Sequence, residues 1–312
     1  MKIVVMGAGG VGGYFGARLA AAHHDVTFVA RGAHLEAMRR AGLRLDSDIG
    51  ALAQPVKVAA EAHEIAAAEC IIFAVKLGDT EAAADQLRGL VAGGATVFTF
   101  QNGVESAERI GYRLGPENVV PGVARISAQI SAPGVITQRG KFASLEFGEP
   151  DRAPRPRAGA LLEACKGAGI SAAISPDIAR ALWLKFAMLA PMSGLTALTR
   201  GPIGPVRADP QARQLLEAAV REVVALGMAA GVRLEPADAD AVITAIDALH
   251  PGIMASMCHD LLAQKKLEIA GLSGAVVRLG RARGVAVPTH TFITQALSLF
   301  ADGKPKLQGS HA

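Results

Sequence analysis

The glycines of the opening run, Met1-Lys-Ile-Val-Val-Met-Gly-Ala-Gly-Gly-Val-Gly-Gly-Tyr-Phe-Gly16, have a spacing that could serve chemistry. Gly7, Gly9 and Gly12 form a GxGxxG arrangement between an apolar run and a segment of helical period. Gly7 allows a sharp turn, Gly9 lets a pyrophosphate approach the backbone, and Gly12 lets the helix pack close to the strand. The phosphates would rest on the free N–H groups at the positive end of that helix. The residues set to touch a dinucleotide are therefore Gly7, Ala8, Gly9, Gly10, Val11 and Gly12. Two charged residues pose a different problem. Lys185 stands alone in the apolar stretch Ala181-Leu-Trp-Leu-Lys-Phe-Ala-Met-Leu-Ala190. A helix apolar on all sides is a buried one, so this lysine either snorkels to the surface or reaches a partner or a wet cleft. Glu268, read within one long helix from about Ser256 to Arg283, shares a face with Leu261, Leu272, Ala275 and Leu279. A carboxylate in an apolar stripe also needs a partner. The two make either a structural ion pair or a functional pair at the cleft between two domains.

The elements that must position these groups are legible in outline. Strand and helix signals alternate through the first half: a strand over Ile3–Met6, another over Asp25–Ala30, a helix from about Ala33 to Ala41, a strand over Cys70–Val75, a helix from about Asp79 to Leu90 and a strand over Ala95–Phe100. Continuous apolar strands alternating with helices predict a doubly wound parallel sheet with both faces covered. From Val119 to Phe147 short strands broken at Pro121–Gly122 and Pro133–Gly134 predict a final, partly antiparallel section. A loop from Glu149, a helix from about Ala158 to Gly167 and a strand near Ile170–Ile174 close the first domain. Ser175-Pro-Asp predicts a helix start, with Ser175 as cap and Pro176 at the first helical position. Beyond it everything is helical in period, over about Pro176–Ala190, Asp209–Ala230, Ala237–Leu249 and Ser256–Arg283. The fold class is α/β: a Rossmann-type dinucleotide-binding domain over 1–174 and an all-helical domain over 175–312, with an unstructured tail after Asp302.

In open α/β sheets ligands lie beyond the carboxyl ends of the strands. Lys76 follows the strand ending at Val75, and Asn102, in Gln-Asn-Gly, follows the one ending at Phe100. Either could be a turn residue, Asn-Gly being a common turn pair, or could face the nucleotide. The second strand ends at Ala30–Arg31, without the acid that would hold a ribose 2′-hydroxyl. Arg31 is an ordinary exposed arginine or the partner of a 2′-phosphate; the second reading selects NADPH over NADH.

Composition narrows the class. The chain has 312 residues, long enough for two domains, and with 51% apolar and 19% charged residues it can build large cores. The net charge of +4 is scattered. Arg39–Arg40, Lys265–Lys266 and the Arg152/Arg155/Arg157 cluster read as solvated faces, so no nucleic-acid partner is expected. Cys70, Cys165 and Cys258 are odd in number and without metal-ligand spacing, which predicts no metal site, no disulfide framework and a reducing, cytoplasmic setting. No uncharged run matches a membrane span, and the N-terminal apolar run is too short for a signal peptide.

Taken together, GAGGVG with Arg31, Val75–Lys76, Asn102–Gly103, Leu182-Trp-Leu-Lys185 followed by Leu195-Thr-Ala, Ser256-Met, Leu267-Glu268-Ile and Arg281-Ala-Arg-Gly-Val-Ala-Val-Pro288 resemble the ketopantoate reductase (2-dehydropantoate 2-reductase) family over nearly the whole chain. The resemblance implies NADPH-dependent reduction of a 2-keto acid, in pantothenate biosynthesis or a related reaction. Lys185 would be the acid that protonates or polarises the ketone oxygen, and Glu268 would orient the substrate and that lysine. Ser256 would hold the substrate carboxylate, and Asn102 and Lys76 would line the nicotinamide and substrate side. The family's habit points to a homodimer, with the apolar C-terminal helices as its face. One departure stands out: the two asparagines usual one and two turns after the lysine are here Leu189 and Ser193, with Pro191 between them. A pocket without those amides loses discrimination for a substrate hydroxyl. Two competing classes remain. A 3-hydroxyacid or glycerol-3-phosphate type dehydrogenase would oxidise 3-hydroxy acids and leave 2-keto acids alone. A nonenzymatic NADP-binding regulator would bind the cofactor without turnover.

Overall fold

The computed structural model describes residues 1–151, 153 and 155–304. Arg152 of the basic cluster and nearly all of the tail after Asp302 lie outside the described residues. Contacts divide the chain into two compact units, Met1–Gln101 with Glu105–Ile178, and Asn102–Val104 with the chain from Ala179 onward.

In the first unit the elements in chain order are β1 Lys2–Met6, α1 Gly10–Ala21, β2 Asp25–Val29, α2 Gly32–Ala41, β3 Leu43–Ser47, β4 Leu52–Gln54, β5 Lys57–Ala59, β6 Cys70–Phe73, α3 Thr80–Gln86, α4 Arg88–Ala92, β7 Thr96–Thr99, α5 Ser106–Leu114, β8 Val119–Ala132, β9 Val135–Phe147, α6 Pro156–Gly167 and β10 Ser171–Ile174. The sheet runs β4-β3-β9-β8-β7-β6-β1-β2-β5, with β10 also on β9. It is parallel from β5 through β8 and antiparallel at β8–β9 and β3–β4. The pleat sends alternate residues to opposite faces. Ile3, Val5, Cys70 and Ile72 pack in one core layer with Phe15, Leu19 and Leu161. Val4, Met6, Ile71 and Phe73 pack in the other with Ala84, Leu87 and Ile110. The central strands are therefore apolar throughout because both faces are covered.

Several expectations are corrected here. Pro121–Gly122 does not break a strand. Pro121 sits where β8 leaves its parallel pairing with β7, opposite Thr99, and Gly122 opens the antiparallel pairing with β9. Ser175 does not cap a helix; its hydroxyl donates to Glu146 (2.7 Å), and the helix begins at Ile178. The basic cluster is only partly a solvated face where it is described: Arg155 is exposed, but it and the half-buried Arg157 both bind Glu149, whose side chain is 3% exposed. Burial raises the Glu149 pKa, but the two guanidiniums outweigh it and hold the carboxyl below its ordinary value. The short strands β3, β4 and β5 carry no long apolar run, and only their neighbours make them strands.

The second unit is helical: α7 Ile178–Thr199, α8 Ile203–Ala208, α9 Pro210–Ala229, α10 Ala237–Asp247, α11 Ser256–Leu262, α12 Ser273–Arg283 and α13 Pro288–Leu297. Asp209 caps α9 by accepting from the N–H groups of Gln211 (3.0 Å) and Ala212 (2.8 Å). α7 does not stop at Ala190 but continues through Pro191, which lacks an N–H. Phe186, Ala187, Ala190, Met192, Leu195 and Ala197 are all buried along it, and their packing outweighs the lost hydrogen bond. By length and composition α7 could also cross a membrane, but 67% of its apolar window is buried within the fold, as suits a core helix.

The long helix expected over Ser256–Arg283 is two helices. α11 ends with Gln264 at φ +55, while Gln264 N–H bonds Leu261 C=O (3.0 Å) and Lys265 N–H bonds Asp260 C=O (2.8 Å). That paired closure terminates a helix. Glu268 is therefore not on a helix face shared with Leu261 and Leu279; it opens a separate 3₁₀ turn over Ile269–Gly271.

Candidate active site

In the first unit the glycine turn has the geometry its spacing asks for. Gly7 takes φ +101, and a Cβ there would lie 2.9 Å from Val75 N, so the turn admits only glycine. A Cβ on Gly12 would lie 2.2 Å from the Gly7 carbonyl, which sets α1 tight against the turn. Gly9 is the N-cap of α1 and has no protein atom within 4 Å of where a Cβ would stand. Gly10 serves packing: its Cβ would meet the Ala128 carbonyl at 2.1 Å. No acidic residue occupies the first turn of α1. An open cap, free of side chains and acids at a helix N-terminus, fits the pyrophosphate of a dinucleotide.

His34, a residue the sequence reading passed over, holds this turn from α2. Gly134 N–H donates to Nδ1 (3.0 Å), leaving Nε2–H to donate to the Ala8 carbonyl (3.0 Å). Burial lowers its pKa, outweighing the Ala8 bond, and favours this neutral ring. Arg31 is the N-cap residue of α2, with its side chain 83% exposed and ion-paired to Asp79. Lys76 is exposed and precedes the 3₁₀ turn Leu77–Asp79. Gln101, also passed over, ties two strand ends together. Its Nε2 donates to Val75 C=O and Thr80 Oγ1, both at 3.0 Å. The polar tripeptide at Gln101–Gly103 was the available signal for it.

In the second unit Lys185 is half-buried on α7, and its ammonium donates to Asn102 Oδ1 at 3.0 Å. Gly103, at φ +86, brings the same segment against the Glu268 turn: a Cβ there would lie 3.2 Å from Gly271 C=O. The Glu268 carbonyl accepts from Gly271 N–H (3.0 Å) and Leu272 N–H (3.1 Å), fixing that half-buried residue at the start of the turn. Lys185 and Asn102 thus stand together, and Asn102–Gly103 runs beside the turn that carries Glu268. Ser256 is exposed as the first residue of α11. Leu189 is half-buried one turn after Lys185. Ser193 is fully buried, and its Oγ has no hydrogen-bond partner among the described residues. Among the described residues no group of three or more His, Cys, Asp or Glu side chains could hold a metal. The three cysteines are buried free thiols, and burial raises the pKa of each.

Residues 3–152 match the family model described as ketopantoate reductase PanE/ApbA, and residues 177–301 match its C-terminal counterpart. A 2-dehydropantoate 2-reductase of Mesorhizobium japonicum is 33% identical over 93% of this chain and 94% of its own length. One from Caulobacter vibrioides is 30% identical over 96% and 99%. The crystal structure of a PanE/ApbA family ketopantoate reductase from Ralstonia eutropha JMP134 superposes with a TM-score of 0.89 at 29% identity, covering 96% of this chain and 98% of that one. With both halves matched in order and end to end, this chain belongs to the ketopantoate reductase family, whose members are oxidoreductases acting on CH–OH groups.

Proposed function

We propose that this protein reduces a 2-keto acid to its 2-hydroxy acid with NADPH, the substrate being ketopantoate or an acid with a more apolar side chain. The observation that carries this reading is the Lys185–Asn102 hydrogen bond, which fixes an ammonium in the otherwise apolar stretch Ala181–Ala190 of α7. When bound, NADPH supplies a hydride to the carbonyl carbon, and negative charge builds on the carbonyl oxygen. Lys185 stabilises that charge and delivers the proton, while Asn102 holds the ammonium in place. Glu268 and Ser256 orient the substrate, Ser256 toward its carboxylate. Gly7–Gly12 and Lys76 hold the cofactor, and Arg31 recognises its 2′-phosphate in the place of an acid. The first unit is thus the cofactor domain, and the helical unit carries the substrate groups and a homodimer face. Three buried thiols suit a reducing cytoplasm.

The test pairs a substrate panel with one variant. Ketopantoate and a series of 2-keto acids are assayed with NADPH and with NADH. Lys185→Ala is expected to lower kcat by roughly a hundredfold or more while leaving NADPH binding, followed by fluorescence, nearly intact. Unchanged turnover in that variant removes Lys185 from its role. Oxidation of 3-hydroxy acids without reduction of any 2-keto acid overturns the reaction.

A further inference from the structure

The first unit contains a cavity of about 430 Å³ lined by Tyr14 and Arg18 of α1, Ile49, the Lys141–Ser144 stretch of β9 and the Gly169–Ser171 turn into β10. Its size lies toward the small end of the range for small-molecule sites. It is not the glycine turn: Arg18 is eight residues past Gly10, about 12 Å along α1 from the helix end that would meet phosphate.

Charge sets this cavity apart. None of its lining residues is acidic. The nearby carboxylates are already matched, since Asp46 and Asp48 pair with Arg139 (2.8 and 3.5 Å) and Asp48 also accepts from Gly140 N–H (2.8 Å). Among the described residues Arg18 binds only neutral acceptors, the carbonyls of Ile49 (3.1 Å) and Gly50. Its Nε is buried without a partner among the described residues, and its guanidinium is steadied over the Tyr14 ring at 5.3 Å. Lys141 adds a second cation to the lining. Two apolar lining residues, Ile49 and Phe142, are 37% and 52% exposed, surface that an apolar body would cover. Ser144 and Ser171, opposite each other in the β9–β10 register, add hydroxyls.

From this we infer a second ligand site for a small organic anion, a carboxylate or phosphate monoester carrying an apolar or aromatic body. The anion is held by Arg18 and Lys141 and the body lies against Ile49 and Phe142. The assignment is independent of the proposed reaction.

The experiment titrates benzoate and phenyl phosphate into the full-length protein, with and without saturating NADPH, by calorimetry and by soaking crystals with 4-bromobenzoate. One aryl anion per chain is expected to bind whether or not NADPH is present, with benzyl alcohol and inorganic phosphate roughly tenfold weaker, a difference of about 1.4 kcal/mol. Arg18 also anchors the Ile49–Gly50 loop, so Lys141→Gln and Phe142→Ser are the informative variants. Each is expected to weaken binding severalfold without changing kcat. Loss of binding on NADPH saturation assigns the anion to the nucleotide site and overturns the inference. So does an unchanged affinity in both variants, or inorganic phosphate binding as tightly as phenyl phosphate.

Discussion

At the scale of single residues, neighbouring glycines of the opening turn do different work. Gly9 faces open space and Gly10 faces a carbonyl. Gly9→Ala is therefore expected to leave stability within about 1 kcal/mol while weakening NADPH binding, read by fluorescence titration and urea melts. Gly10→Ala is expected to destabilise the fold, because a Cβ 2.1 Å from Ala128 C=O forces α1 away from β8. The glycines were legible from spacing alone, but their division of labour was not, because it depends on Ala128, more than a hundred residues away. Lys185 was legible as a lone cation in an apolar stretch; its partner was not. Substrate choice also belongs to this scale. Leu189→Asn is expected to raise kcat/KM for ketopantoate roughly tenfold relative to 4-methyl-2-oxopentanoate, by supplying an amide able to hydrogen-bond a substrate hydroxyl. A ratio that stays the same would show that Leu189 does not face the substrate.

Among the elements, the clearest lesson is the break between α11 and α12. Apolar spacing continues across it, so periodicity alone reads one helix. The chain instead closes α11 with Gln264 in a left-handed conformation and starts again after Glu268. Gln264→Gly is expected to stabilise the protein by roughly 0.5–1 kcal/mol, since glycine adopts that conformation without a Cβ penalty; a lower urea midpoint would contradict it. The opposite error occurs at Pro191, where a helix breaker is overridden by burial on both sides. Ser175 shows a third kind of failure: a good capping residue that spends its hydroxyl on Glu146.

For the molecule as a whole, the helical unit carries a buried histidine that couples its stability to pH. His290 is fully buried, with Nε2 against Ala219 C=O and Nδ1 against Ser273 Oγ, both at 3.1 Å. It joins α9, α12 and α13, and Glu222 caps the start of α13 through the N–H groups of Thr289 (2.8 Å) and His290 (3.0 Å). Burial pushes its pKa from 6.5 down to about 4, with the Glu222 charge and the Ala219 bond offsetting part of that. The unfolded chain then binds more protons between those values, so stability is fully present above pH 6.5 and is lost as pH falls toward 4. Urea melts are expected to show about 2 kcal/mol of loss from this group between pH 7 and pH 5, and the slope is expected to flatten in His290→Gln. An equally steep slope in that variant would assign the acid sensitivity elsewhere.

From the sequence alone come the features that a short window of backbone encodes: the strand–turn–helix at the N-terminus, the alternating parallel architecture, the helical second half and the isolation of Lys185 among apolar neighbours. These rest on period, turn chemistry and side-chain hydration, all of which act within a few turns of chain. Tertiary structure alone decides the partners: Asn102 for Lys185 across 83 residues, Glu149 for its two arginines, burial for Ser193 and a turn for Glu268. Such pairings depend on which distant surfaces exclude water together, and no local pattern specifies that.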